Sequence, residues 1–134
     1  MKTGFTYVRV GIANPRSKKY AFYRALVDTG ADNAAIPSRI AKRLKLETLR
    51  REEVSTANGS TVMPVAGARI VLEGKEGFID VWISGSMKEV ILGVVALEAL
   101  GFAVDPKTKR LIETRRMLYS ISRAPSPIFA VPRE

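Results

Sequence analysis

The residues best placed to do chemistry lie together in Ala25-Leu26-Val27-Asp28-Thr29-Gly30-Ala31-Asp32. An apolar run ends at an acid, and a small hydroxyl residue and a glycine follow at once. That order suits a carboxylate carried to the end of a buried strand and held in a tight loop. Ionised, such a group is a general base; protonated, it is a general acid.

Few other chemistries are open to the chain. Its 134 residues include no Cys and no His. Those absences exclude Ser-His-Asp and Cys-His catalysis, disulfides and nearly all zinc sites. A hard-cation site needs clustered acids, and the Asp residues are only Asp28, Asp32, Asp80 and Asp105. No metal and no cofactor are expected. The net charge of +9 is read as a solvated basic surface, because Lys and Arg are spread along the chain. No RNA-binding signature with interleaved aromatics and no zinc-finger spacing is read, so a nucleic-acid-binding β-domain rests on charge alone and nucleic acid is not expected as a partner.

The length fits one domain with a proper core. Met1-Lys2-Thr3-Gly4 leads into an alternating segment containing Arg9, not into an unbroken apolar region. The longest apolar stretch, Val90 to Val104, is interrupted by Glu98 and is too short to span a bilayer. A cytoplasmic protein with no membrane partner is expected.

The elements that must position Asp28 can be read from periodicity. Phe5 to Val10 alternates as a strand, and Asn14-Pro15-Arg16-Ser17-Lys18 reads as a turn. Tyr20 to Val27 is a second strand, with its end buried on both faces. Ser38 is expected to cap a helix presenting Ile40, Ala41 and Leu44 on one side. Val54 to Ala57 and Ser60 to Val62 make a hairpin around Asn58-Gly59, the preferred type I′ pair. Ala68 to Leu72 and Phe78 to Ile83 make another around Gly74-Lys75-Glu76-Gly77. Glu89 to Gly93 is a short apolar strand, and Val94 to Leu100 a short helix stopped by Gly101. Ala103 to Ile112 forms a last hairpin, in which Asp105 is a turn residue. Asp80 sits on a strand face. Two strand-turn-helix units, at 26–30 and 90–93, imply an approximate internal two-fold relation. The class is mainly β with two short helices.

In these features the chain resembles the retropepsin-like aspartic proteases, the single-domain homodimeric relatives of pepsin. The resemblance rests on Leu26-Val27-Asp28-Thr29-Gly30-Ala31-Asp32, the Asn58-Gly59 hairpin and Ile91-Leu92-Gly93 before a helix, in order across residues 5 to 113. It implies a closed, bent β-barrel and an aspartic endopeptidase whose second Asp28 comes from a second copy of the chain. It further implies that Thr29 hydrogen-bonds across the dimer and that Gly30 lets the loop approach partner and water. The hairpin would be a flap over a peptide or protein substrate, with Ala57, Asn58 and Gly59 at its tip. Ala31, Asp32, Ile91 and Leu92 complete the substrate-binding set that the resemblance implies; the other readings are a turn-stabilising role for Asp32 and a core role alone for Ile91 and Leu92.

Two departures stand out. In viral members an arginine follows the second glycine and pairs with the Asp32 position, whereas Val94 stands here. Asn33 and Ala34 also replace the viral Asp-Thr pair. The alternative reading is therefore a dimeric binding or assembly module that keeps the fold with little or no proteolysis. The protease domain is assigned to residues 1–113. Residues 114–134 form a C-terminal extension, read as a dimer-interface or cleft-associated strand on the strength of Ser126-Pro127-Ile128-Phe129-Ala130-Val131.

Overall fold

Alternating residues in Thr6–Ala13 and Ala21–Val27 form β1 and β2, an antiparallel pair in the register Val8↔Ala25 and Val10↔Tyr23. The computed structural model describes residues 6–114. The remaining elements are β3 (Ala34–Pro37), α1 (Ser38–Arg43), β4 (Thr48–Thr56), β5 (Gly59–Leu72), β6 (Lys75–Ser84), β7 (Val90–Leu92), α2 (Val94–Ala99), β8 (Phe102–Val104) and β9 (Leu111–Glu113). The expected extension at 114–134 lies outside the described residues except for Thr114, whose N–H donates to the Gly101 carbonyl at 2.8 Å.

Strand order is β1-β2-β7-β3-β6-β5, and β1 also pairs with β5. The first and last strands therefore meet, and six strands close into a barrel, as the resemblance implies. Closure removes the unpaired edges that an open sheet would expose. Its interior holds Val10, Ile12, Ile36, Ile70, Val81 and Leu92, each essentially without exposure. α2 packs Leu97 into the same core. β4 stays outside the ring and, among the described residues, pairs with β5 alone. No helix among the described residues is long and apolar enough to cross a membrane.

Two of the pairings are parallel: β2 with β7, and β3 with β6. β7 sits between β2 and β3, with Leu26↔Ile91 on one side and Ala35↔Ile91 on the other. The chain must leave β2, cross over the end of β7 and return as β3. The Asp28 loop is that crossing.

Several local expectations shift. α1 has Pro37, not Ser38, at its N-cap, and no side chain caps it. The fixed φ of proline suits a helix entry, and Pro37 also ends β3. Ile40 and Ala41 are buried as expected. The flap-like hairpin turns on Ala57-Asn58, and Gly59 at φ 112° is already the first residue of β5. Asn58 is not at positive φ, so the turn is not type I′. Thr56 accounts for the change: its hydroxyl accepts from the Asn58 N–H at 3.2 Å and donates to the Gly59 carbonyl at 2.7 Å. Conversely, the hairpin expected around residues 74–77 turns one step earlier, on Glu73 (φ 51°) and Gly74 (φ 80°). That pair adopts the mirror-image geometry that twisted strands favour.

Candidate active site

Asp28 is the first residue beyond β2. Its N–H donates to the Leu92 carbonyl at 3.0 Å, which extends the parallel β2–β7 ladder by one residue. The chain then turns sharply, and the Asp28 carbonyl accepts from the Ala31 N–H at 3.0 Å. Inside this turn Oδ1 of Asp28 accepts from the Gly30 N–H at 2.9 Å. The carboxylate is thus oriented by its own loop and needs no other side chain for that. It is half-buried, while Thr29 and Gly30 are exposed beside it. Among the described residues, the side-chain hydrogen bond of Asp28 is to the Gly30 N–H, with no other carboxyl bonded to it.

The loop is clamped to the second strand-turn-helix unit. The Val94 N–H donates to the Ala31 carbonyl at 2.9 Å, and the Val95 N–H donates to the Asp32 carbonyl at 2.8 Å. These are the first amides of α2, which have no partner within their own helix. The loop uses them, and the two segments lie backbone on backbone. A Cβ at Gly93 would come within 2.5 Å of the Asp32 carbonyl and 2.6 Å of the Ala31 oxygen. Only glycine fits the crossing.

Gly93 seats the acid loop, although only Ile91 and Leu92 of its segment are expected to bind substrate. Its signal was present in Ile91-Leu92-Gly93 itself, a glycine between a buried strand and a helix. The residues read with it separate in space. Leu92 is fully enclosed in the core, directly beneath the loop that its carbonyl supports. Ile91 is half-buried and retains surface. Ala31 is half-buried, and Asp32 is exposed. Asp32 contributes its carbonyl to α2, and its side chain makes no hydrogen bond to another described residue.

Residues 51–56 of β4 and 59–64 of β5 pair with each other, whereas β5 meets β6 only from Val65 onward. A two-stranded ribbon therefore projects from the barrel. Ala57, Asn58 and Gly59 form its exposed tip. Val54, by contrast, is buried.

A polar network holds the ribbon's base. The Arg50 guanidinium donates to Glu52 at 2.8 Å and to Asp80 at 2.9 Å. The Trp82 indole N–H donates to the other Glu52 oxygen at 3.0 Å. Side chains of β4 and β6 thus join across β5. The Trp82 hydrogen bond, followed by that of Arg50, holds the Glu52 carboxyl below the ordinary glutamate range. Asp80 is therefore a strand-face residue, as read, with a partner that the sequence did not reveal. Asp105 sits in its expected turn, and its Oδ1 accepts from the Lys107 N–H at 2.9 Å.

Comparisons with known proteins agree with this geometry. The family described as "gag-polyprotein putative aspartyl protease" matches residues 19–99, more than half of the chain. A comparison with curated proteins finds no significant match. Among solved structures, EIAV protease in complex with the inhibitor HBY-793 superposes with a TM-score of 0.58 at 21% identity, covering 72% of this chain and 88% of that one. Simian foamy virus (mac) protease gives 0.54 at 15% identity, with 69% and 92% covered. A retropepsin-like aspartic protease from Rickettsia conorii gives 0.50 at 26% identity, with 79% and 91% covered. An acid loop locked over Gly93, a closed six-stranded barrel and a family match across both segments have one common meaning: the chain belongs to the retropepsin-like family of aspartic-type endopeptidases.

Proposed function

We propose that this endopeptidase acts as a homodimer, with its active site formed by two Asp28 carboxylates, one from each copy. The observation that carries the proposal is Asp28, whose carboxylate is oriented by the Gly30 N–H and hydrogen-bonds to no other acid among the described residues. Peptide hydrolysis without metal or nucleophile needs a base for water and an acid for the carbonyl. Two adjacent carboxylates supply both, because repulsion makes them share one proton and titrate as a unit. The ionised partner takes a proton from the attacking water. The protonated partner gives its own to the carbonyl oxygen, and the proton then passes to the leaving nitrogen as the tetrahedral intermediate collapses.

A two-fold axis through this loop brings the two acids together. Exposed Thr29 is the residue proposed to bond across that axis, and exposed Gly30 allows the close approach. The ribbon with Ala57, Asn58 and Gly59 at its tip is proposed to close over an extended peptide and exclude water. Ala31, Asp32 and Ile91 line the proposed cleft, and Leu92 supports it from the core. Val94 removes the arginine that pairs with the Asp32 position in viral members, which leaves the exposed Asp32 carboxylate available to substrate.

The test is a peptide-library digest with wild type and Asp28→Asn in parallel over a range of pH, beside sedimentation of both proteins. Cleavage by a dimeric wild type, and none by an equally folded and equally dimeric variant, is expected. Equal cleavage by both proteins refutes the assignment. A wild type that dimerises but cleaves nothing identifies an assembly module instead.

A further inference from the structure

The basic excess had no partner in the linear sequence, but strand pairing gives part of it a form. β1 contains Tyr7-Val8-Arg9 and β2 contains Phe22-Tyr23-Arg24, so each strand carries an aromatic two residues before an arginine. The antiparallel register sets Arg9 directly opposite Arg24. Each guanidinium then lies over a ring of the other strand. Arg24 is 3.7 Å from the centre of the Tyr7 ring, and Arg9 is 4.5 Å from that of Phe22. The Phe22 ring lies over Gly11, which has no side chain to displace it. All four side chains are exposed on the outward face of the barrel.

Two opposed effects meet in this arrangement: the ring contacts stabilise it, and the facing charges oppose it. Like charges placed directly opposite across a ladder repel. Neither strand contains an acid, and among the described residues neither guanidinium pairs with a carboxylate. The contrast lies on β5 and β6, where Arg69 also sits near a ring, that of Phe78, but is neutralised by Glu76 at 3.0 Å.

We infer that the outward face of β1 and β2 docks single-stranded nucleic acid, with phosphates at the edges of Arg9 and Arg24 and bases stacked on the guanidinium planes that cover Phe22 and Tyr7. Phosphate supplies the missing counter-charge. The arginine-covered rings, 50% exposed at Phe22 and 40% at Tyr7, back sequence-tolerant platforms. An acidic peptide would use the arginines and leave the rings idle. A duplex would hide the base faces. A single strand uses both features at once. Arg24 lies about 13 Å along β2 from Asp28, so docking leaves the acid free. The inference does not depend on peptidase activity.

The test uses a fluorescent oligouridylate of about 10 nucleotides and the full-length protein, with anisotropy measured from about 50 to 200 mM salt. Binding that weakens steeply with salt is expected. Arg9→Ala with Arg24→Ala should weaken it at least about tenfold and lower the logarithmic salt slope by about 1.4. Phe22→Ala should weaken binding about tenfold with the salt slope unchanged. Asp28→Asn should bind as wild type does. The arginine double variant loses the repulsion and both ring contacts together, and is expected to melt within about 4 °C of wild type. A thermal scan checks this. Three results overturn the inference: no binding at the lowest salt, an equal loss from Lys42→Ala with Arg43→Ala on α1, or full competition by polyglutamate with no effect of Phe22→Ala. The second would assign binding to net charge, and the third to an acidic protein.

Discussion

The Asp32 carbonyl rests on Gly93 so closely that a Cβ there would stand 2.5 Å away. Both partners are backbone, so neither can swing aside as a side chain would. This contact locks the acid loop to α2, and the amides of Val94 and Val95 fasten it on either side.

Gly93→Ala should therefore cost about 3 kcal/mol, the upper part of the usual range for overpacking a tight interior. Urea unfolding measures it, with a lower midpoint and an unchanged slope. Gly59→Ala is the control. Open space surrounds Gly59, and only its φ of 112° opposes a side chain, so the cost there should be about 1 kcal/mol. Equal effects at the two positions would show that the crossing is not tight.

Gly30→Ala should separate activity from stability. Its Cβ would sit 3.3 Å from Oδ1 of Asp28, a crowded but tolerable distance at an exposed turn. The carboxylate must shift to make room. Catalysis depends on placement at the ångström scale, so peptidase activity should fall at least about tenfold while stability changes by less than about 1 kcal/mol. Parallel kinetics and unfolding measure both. Full activity would mean that the Gly30 hydrogen bond does not set the acid's position.

What the sequence revealed and what it hid follow from the range of each interaction. The acid loop, the ribbon and the β7–α2 unit were legible because each is a local pattern. β3 was missed because Ala34–Pro37 is only four residues long, buried throughout and without alternation. It is a strand only because β6 and β7 flank it. The two hairpin turns were misplaced for a different reason. A hydroxyl on Thr56 outweighed the Asn-Gly preference in one, and the alternation of β6 pulled Lys75 into the strand in the other. The Arg50–Glu52–Trp82–Asp80 network was unreadable, since its members lie on strands that are not neighbours. The Arg9–Arg24 pair depends in the same way on register.

Glu52 and Trp82 make the ribbon's base sensitive to acid. Trp82 is the sole tryptophan in the sequence, so its emission reports the surroundings of this contact. The folded carboxyl titrates below its unfolded value, which is about 4.3. The contact's stabilisation is therefore complete above that value and lost as pH falls through the lower, folded one. An emission change with a midpoint below about pH 4.3 is expected, and Glu52→Gln should abolish it. A midpoint above that value, or an unchanged transition in the variant, would refute the coupling.

A shared active site makes a prediction about mixtures that no single-chain site can match. If each catalytic centre needs Asp28 from two copies, an Asp28→Asn chain disables any wild-type chain with which it pairs. Random pairing at equal concentrations leaves about one quarter of the dimers fully wild type. The same amount of wild-type chain should then deliver about half of its unmixed activity. The subunits must first exchange, which brief dilution below the dimer's dissociation range ensures. Activity that stays at its unmixed value after exchange would place a complete site in each chain. A fall to about half would place the two acids on the axis, where the Gly30-held carboxylate of Asp28 and the exposed Thr29 both find their use.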